Sequence, residues 1–344
     1  MPELPEVEIA RRTLVRWFKG HEVRRAESTK TRIFRGAKPK AFEAISGPMT
    51  KAERKGKYLL LSFGTQGVLA HLGMTGKFVK RPKGEEVLYS RARFELDTGD
   101  VIHFRDPRMF GRIEPVPSAE LWKLKTIEEL GIDPLTEGLD AAALKGAVGK
   151  SKQELKVALM DQGRITGLGN IHATEAMYRA KLHPSCAPMT LTDDEWSRLT
   201  AAIHAAIQFG LDEQEGDDEI QYVEEPGSEN PFLVYGREGE ECGNCNAVIV
   251  RTEHGGRSSF FCPECQPNPG GTEDKKYAKV LRQIEKDFAL ARPRIKKIEA
   301  KALAKLKKSA KKRPAAASSV PLEKSRKTRV RLVRPEPATK GKKK

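Results

Sequence analysis

Apolar residues Val7, Ala10, Leu14 and Trp17/Phe18 recur at helical spacing behind Pro5, which predicts a helix over residues 6–18 with the proline in its first turn. Between Lys57 and Phe104 the pattern shortens to β-type runs: Tyr58–Phe63, Val68–Leu72, Arg91–Leu96 and Val101–Phe104. Gly64, Gly67, Gly73, Gly76 and Asp97-Thr98-Gly99-Asp100 punctuate them as turns. Short strands so closely spaced predict an antiparallel sandwich. After Pro115 helical patterns take over at Thr126–Leu130, Ser151–Met160, Asn170–Ala180 and Asp193–Phe209. The expected class is therefore α+β, with a β-sandwich lobe and flanking helix over 1–115, a linker over 116–150, a helical domain over 151–235, a cysteine-bearing hairpin over 236–266 and a tail over 267–344.

Gly167-Leu168-Gly169-Asn170 reads as a tight turn feeding a helix amino terminus. Such a terminus binds phosphate through free backbone amides; a plain helix corner fits the spacing equally well. Asp212–Phe232 carries nine acids and no base, the pattern of a solvated, mobile surface. The tail opens with Pro and Gly and becomes Lys/Ala/Pro-rich, including the basic run Lys307–Arg313. Tyr277, Val280, Leu281, Ile284 and Phe288 could line one amphipathic helix, and chain beyond Pro293 is expected to be largely disordered.

At 344 residues the chain has room for two or three domains, and a mean hydropathy of −0.56 with no long apolar run excludes a helical membrane span. The acidic opening lacks the basic and then apolar pattern of a secretory signal, so an intracellular protein is expected. The net charge of +16 suggests a nucleic-acid partner, but its distribution qualifies that. Residues 267–344 hold 26 Lys+Arg against 7 Asp+Glu, whereas residues 1–266 hold 37 against 40. A DNA groove in the body must therefore be a local arrangement of bases.

Cys242-x2-Cys245 and Cys262-x2-Cys265 are paired knuckles whose spacing suits four thiolates around one closed structural zinc. A redox dithiol would be expected in a βαβ setting, which is missing. Ala247–Thr252 and Ser258–Phe261 read as the intervening hairpin, with Gly255-Gly256-Arg257 at its tip. Cys186, outside the pairs, reads as a small packing residue.

Pro2-Glu3-Leu4-Pro5-Glu6-Val7-Glu8, Lys55-Gly56-Lys57-Tyr58-Leu59-Leu60, His71-Leu72-Gly73-Met74-Thr75-Gly76, Asp106-Pro107-Arg108-Met109-Phe110-Gly111, Gly167-Leu168-Gly169-Asn170-Ile171 and the cysteine hairpin follow one another in an order that resembles the formamidopyrimidine-DNA glycosylases over about residues 2–266. The resemblance implies a helix-two-turn-helix in the helical lobe, a zinc-finger hairpin, and a base-excision DNA glycosylase with abasic-site lyase activity. Double-stranded DNA with oxidised bases or abasic sites would be the partner, one structural zinc the cofactor with no organic group, and a monomer in the bacterial cytoplasm, associated with the nucleoid, the expected state.

If Met1 is removed, as the resemblance implies, Pro2 presents a secondary amine whose reference pKa, about 7.7–8.0, leaves a useful unprotonated fraction at neutral pH. Attack on sugar C1′ would expel the base and leave an iminium that acidifies the C2′ proton, so β- and then δ-elimination can follow. Glu3 is placed to exchange protons with the ring oxygen or the leaving base. The resemblance assigns Lys57 as a proton donor and phosphate contact, and Arg257 to phosphate binding and the second elimination. It makes Met74, Arg108 and Phe110 the wedge that replaces the everted nucleotide, although Met74 and Phe110 would otherwise read as core. His71, Lys152 and Asn170 become further phosphate contacts, and Glu6 a buried carboxylate near the amine. Arg91 and Arg93 stand where the family often has His-x-His, and Arg91 could still bind phosphate. The acidic segment 212–232 departs from the family's usual lesion-covering loop and puts the preferred base in doubt. Oxidised pyrimidines, as in the endonuclease VIII branch, are the alternative substrates, and a non-catalytic zinc-finger DNA-binding protein the alternative class.

Overall fold

The computed structural model describes residues 2–29, 32–34, 39–216, 219–223, 225 and 227–268, all within a unit spanning Met1–Ile284. From residue 269 onward the expected tail, with its helix at 277–288, lies outside the described residues. Helix α1 (Leu4–Phe18) begins two residues earlier than the periodicity suggests. Glu3 holds extended backbone as its N-cap, Pro5 fits the first turn, and Glu6 Oε2 accepts the Glu3 backbone N–H at 2.8 Å.

Two antiparallel sheets follow. One has the order β2 (Gly47–Pro48), β1 (Glu22–Ser28), β7 (Ser90–Leu96), β8 (Asp100–Arg105), β6 (Lys77–Pro82). The other runs β3 (Lys51–Lys55), β4 (Tyr58–Phe63), β5 (Gln66–His71), β9 (Arg112–Pro117). The sandwich is therefore as expected, with β1, β2, β3, β6 and β9 in addition to the four runs read from pattern. Phe63 of β4 stacks on Phe94 of β7 at 5.3 Å, and Phe18 of α1 meets both rings edge-on, so the helix closes the space between the sheets. The short helix α2 (Pro39–Glu43) adds Phe42 to the same cluster. β4 is buried on both faces: Leu59 and Leu61 enter the main core, while Leu60 joins Leu69, Leu121 and Ile127 on the other side. The apolar run needs that second cover because alternate side chains point oppositely. A 3-10 turn over Ser118–Lys123 and the short helix α3 (Lys125–Glu128) supply it.

The segment 116–150, expected as a linker, also contains helix α4 (Ala141–Val148), capped by Asp140 and packed on the helical lobe through Leu144 and Val148. Helix α5 (Leu155–Leu159) is shorter than the expected 151–160, because Ser151 Oγ accepts the Gln153 N–H and holds the preceding residues in a turn. Helix α6 (Asn170–Arg179) and the longer α7 (Asp193–Asp212) pack together, and α1 lies against α7. α7 opens with a capping box of Thr192 and Glu195 and runs three residues past the expected end. The cysteine hairpin is β10 (Val250–His254) and β11 (Arg257–Phe261), starting later than expected because Cys242 N–H bonds to Ala247 O to close the first knuckle. Cys186 is buried in the core, as its isolation suggested.

The acidic segment is not simply a solvated surface. Ile220 and Tyr222 are buried, the Tyr222 hydroxyl donates to Gly76 O at 2.6 Å, and Lys77 of β6 reaches both Ile220 O and the Glu225 carboxylate. Arg81 of β6 pairs with Glu219. Basic residues of the sandwich thus neutralise part of the acidic run and draw its apolar residues inward, which a charge count along the segment cannot reveal.

Candidate active site

Glu3 and Gly167-Leu168-Gly169-Asn170 lie far apart in sequence but meet at one point. Leu4 N–H donates to Gly167 O at 3.0 Å, fixing the start of α1 against the turn before α6. Glu3 Oε1 accepts the Ile171 N–H at 2.8 Å, and Oε2 accepts those of Gly169 at 2.9 Å and His172 at 3.0 Å. His172 Nδ1 lies a further 2.7 Å from Oε2. The helix terminus expected to offer its amides to phosphate is therefore occupied by an internal carboxylate, the same favourable match of anion to N–H groups and helix dipole. Burial alone would raise the Glu3 pKa, but the His172 hydrogen bond and charge, the Lys57 charge and the Ile171 amide outweigh it and hold it at about 2.

Lys57 follows Gly56, whose φ of +56° and contact with Thr166 leave no space for a side chain. Arg54 and Asp133, both fully buried, form a bidentate pair beside that turn, and Asp133 also accepts the Gly56 N–H at 2.7 Å. The turn aims Lys57 at Gly169: a Cβ there would overlap the Glu3 carboxylate and lie 2.7 Å from Lys57 Nζ. Desolvation lowers the Lys57 pKa, with the Arg257 charge adding to it and those of Glu3 and Glu6 opposing. Pro2 is buried immediately before this pair, and Glu6 is buried one turn later. Arg257 stands at the hairpin turn, its Nη1 3.9 Å from Met160 Sδ, close enough to influence Lys57 electrostatically. Asn170 opens α6 with its Oδ1 buried and without a hydrogen-bond partner among the described residues.

His71, paired in register with Tyr58 and packed against its ring at 4.7 Å, links this site to a second cluster. Gly73 (φ +68°) lies against the Phe110 backbone, where a side chain would overlap. Asp106, fully buried, accepts from Thr75 Oγ1 and Gly111 N–H, tying the two loops together. Met74 is 37% exposed and Phe110 44%, so neither is a core residue, and the Arg108 guanidinium lies 4.8 Å over the Phe110 ring. Arg91 braces the loop, donating through Nε to Asp106 O at 3.0 Å, and Lys152 is exposed in the turn before α5. A cavity of about 330 Å³ opens beside the first turn of α1, lined by Glu6, Ile171, Gly210, Gln214, Tyr222 and Phe232 among others.

Four residues with clear places here escaped the sequence reading. His172 touches Glu3. Lys156, fully buried, donates to Ser258 O and Ser259 Oγ, both at 2.6 Å, and its pKa is pushed down to about 7 by desolvation and Arg257 against the pull of Glu3. Arg32 holds the Arg108 and Met109 carbonyls, and Tyr222 joins the acidic segment to β6. A lysine or arginine in a polar stretch reads as surface, so only His172, two residues beyond Asn170 in a glycine turn, offered a local signal.

The Sγ atoms of Cys242, Cys245, Cys262 and Cys265 lie within 4.8 Å of one another, with separations of 3.4 Å between Cys245 and Cys262 and 3.8 Å between Cys242 and Cys265. A tetrahedron with Zn–S of about 2.3 Å has edges of about 3.8 Å, so the donors fit one zinc. All four corners being thiolate, the ion is structural. Asn244 Nδ2 donates to Cys265 Sγ at 3.2 Å, and Glu175 of α6 accepts the Leu233, Val234 and Tyr235 N–H groups, fastening the approach to the finger.

A buried carboxylate and lysine at the head of a sandwich-lobe helix, a helical lobe and a four-thiolate hairpin define a zinc-finger DNA glycosylase of the kind that also cleaves abasic sites. Family models match three stretches: the formamidopyrimidine-DNA glycosylase N-terminal domain at residues 1–113, its H2TH domain at 130–221, and the zinc finger found in FPG and IleRS at 239–268. The chain belongs to the formamidopyrimidine-DNA glycosylase family. It is 39% identical over 274 residues to a formamidopyrimidine-DNA glycosylase of Pelotomaculum thermopropionicum, with 77% of this chain and 99% of that protein covered. Among solved structures it resembles the Lactococcus lactis Fpg bound to DNA with an abasic site, at 26% identity and a TM-score of 0.69 over 77% of this chain and all of that one. Thermus thermophilus MutM matches at 32% identity and a TM-score of 0.65, over 77% and 98% of the two chains. No described helix is long and apolar enough to cross a membrane.

Proposed function

We propose that this chain removes oxidised purines, 8-oxoguanine and formamidopyrimidines, from double-stranded DNA and cuts the strand through an iminium on Pro2. The carrying observation is the convergence of Glu3 and Lys57 on Gly169, directly beside buried Pro2. After Met1 removal the Pro2 nitrogen attacks C1′, the glycosidic bond breaks, and O4′ takes a proton as the sugar ring opens and the iminium forms. Loss of the C2′ proton then drives elimination of the 3′ and afterwards the 5′ phosphate. Glu3 is ionised at neutral pH and acts first as an acceptor and electrostatic partner of the developing cation; Lys57, its pKa lowered by desolvation, is the adjacent ammonium donor. Arg257 faces the phosphate from the hairpin, and the zinc maintains that hairpin.

Met74, Arg108 and Phe110 fill the space left by the everted nucleotide, while Asn170, His71, Lys152 and Arg91 contact the backbone. The cavity beside Glu6 receives the base, consistent with solved relatives bound to DNA carrying 8-oxo-G and Fapy-dG. A single copy acts on DNA in the bacterial cytoplasm. The test is borohydride reduction with duplex containing an abasic site, followed by peptide mapping: covalent linkage at the Pro2 nitrogen is expected, and a linkage mapped to any other residue overturns the assignment.

A further inference from the structure

His172 is fully buried, and both its backbone N–H and its Nδ1 lie on the same Glu3 oxygen. Its Nε2 has no hydrogen-bond partner among the described residues and faces Gly210 of α7, where a Cβ would lie 2.6 Å away. Phe232 meets the ring edge-on at 6.1 Å, so apolar and backbone groups enclose it on those sides. The charged groups around the pair are Glu6 from α1, Glu175 from α6 itself and, through Glu3, Lys57 from the turn before β4 and Lys156 of α5. Burial disfavours an imidazolium here, but the Glu3 hydrogen bond and the charges of Glu3, Glu6 and Glu175 outweigh it, and the His172 pKa is raised. With Glu3 held at about 2, the proton of the pair resides on His172.

That distribution matters for the proposed chemistry. A carboxylate ionised so firmly has no proton of its own to give to O4′ or to the departing base, yet it is the group beside Pro2. We propose that His172 is a positioning residue acting through Glu3: it fixes the carboxylate and stores the proton that Glu3 relays to the sugar oxygen or leaving base. The balance closes. Base departure and ring opening take two protons: the Pro2 N–H supplies one as the iminium forms, His172 Nδ1 supplies the other through Glu3, and the C2′ proton lost in the elimination recharges the neutral imidazole.

The role rests on the Pro2 and Glu3 reading given above, and the test separates the two. Full-length His172→Gln keeps an amide donor toward Glu3 but stores no proton, and His172→Phe removes both. Single-turnover base release would be followed from about pH 6 to about pH 10, beside borohydride trapping on an abasic duplex. The unaltered chain should give a bell: an acidic limb from the Pro2 amine and an alkaline limb on which the Glu3–His172 pair and the Lys57 ammonium both lose their protons. Both variants should still be trapped, should release base about a hundredfold more slowly at neutral pH, and should lose the part of the alkaline limb due to His172 while keeping that of Lys57. Restoration of the original rate and profile by His172→Gln would reduce His172 to a structural contact and overturn the proposal. An alkaline limb unchanged in trappable variants would overturn it as well, leaving the Pro2 reading intact, whereas absence of trapping in the unaltered chain would remove both.

Discussion

Replacing Glu3 by Gln tests the bridge between the lobes energetically as well as chemically. The carboxylate receives three backbone N–H groups and His172 Nδ1, and it is 1% exposed. A carboxamide has only one acceptor oxygen, so whichever way it turns its NH2 opposes at least one of those donors. Lowering the pKa from 4.5 to about 2 corresponds to roughly 3 kcal/mol of native stabilisation of the ionised form. Because the folded pKa is depressed, that contribution is complete above about pH 4.5 and fades as the pH falls towards 2. Glu3→Gln should therefore be about 3 kcal/mol less stable at neutral pH, a fall in Tm of about 5 °C for a unit of this size, and inactive in base release while still binding DNA. Denaturant unfolding of both proteins from neutral to acid pH is the assay, since zinc loss at low pH is common to the two and cancels in their difference. A gap that is absent at neutral pH, or that does not narrow below about pH 4.5, would refute the reasoning.

Protein that retains Met1, verified by mass spectrometry, should bind DNA but release no base; normal excision by it would exclude the terminal amine as nucleophile. Zinc removal should unfold the hairpin, displace Arg257 and weaken DNA binding, given that such a site contributes on the order of 10 kcal/mol to an isolated finger; less than half an equivalent of zinc in active protein would contradict the assignment. Tyr222→Phe removes the hydroxyl bond to Gly76 O, should cost about 1 kcal/mol and should shift the ratio of 8-oxoguanine excision to abasic-site cleavage, whereas an unchanged ratio would show that the acidic segment does not read the base. Truncation after Gln266 removes 26 of the 63 basic residues and should flatten the dependence of log affinity on log salt by about 0.9 for each lost phosphate contact; equal slopes would exclude the tail as a DNA tether.

The sequence alone carried whatever depends on local period and spacing. Helix α1, the four strands read from alternation, the helices beginning at Asn170 and Asp193, and the grouping of four cysteines were legible because neighbours along the chain set them. The order of motifs from Pro2 to Cys265 pointed to the family for the same reason. What tertiary structure decided was which polar groups meet. Glu3 reads as one acid in an acidic opening, and Gly167–Asn170 as a phosphate-ready terminus, yet folding places the first into the second and raises His172 to a partner of the candidate chemistry. Lys156 carried no signal in the sequence and is fully buried, and the acidic segment reads as solvated although Lys77 and Arg81 hold it against β6. Periodicity reports which face of an element is apolar, but a charge is placed by its partners, and those lie up to 169 residues away along the chain.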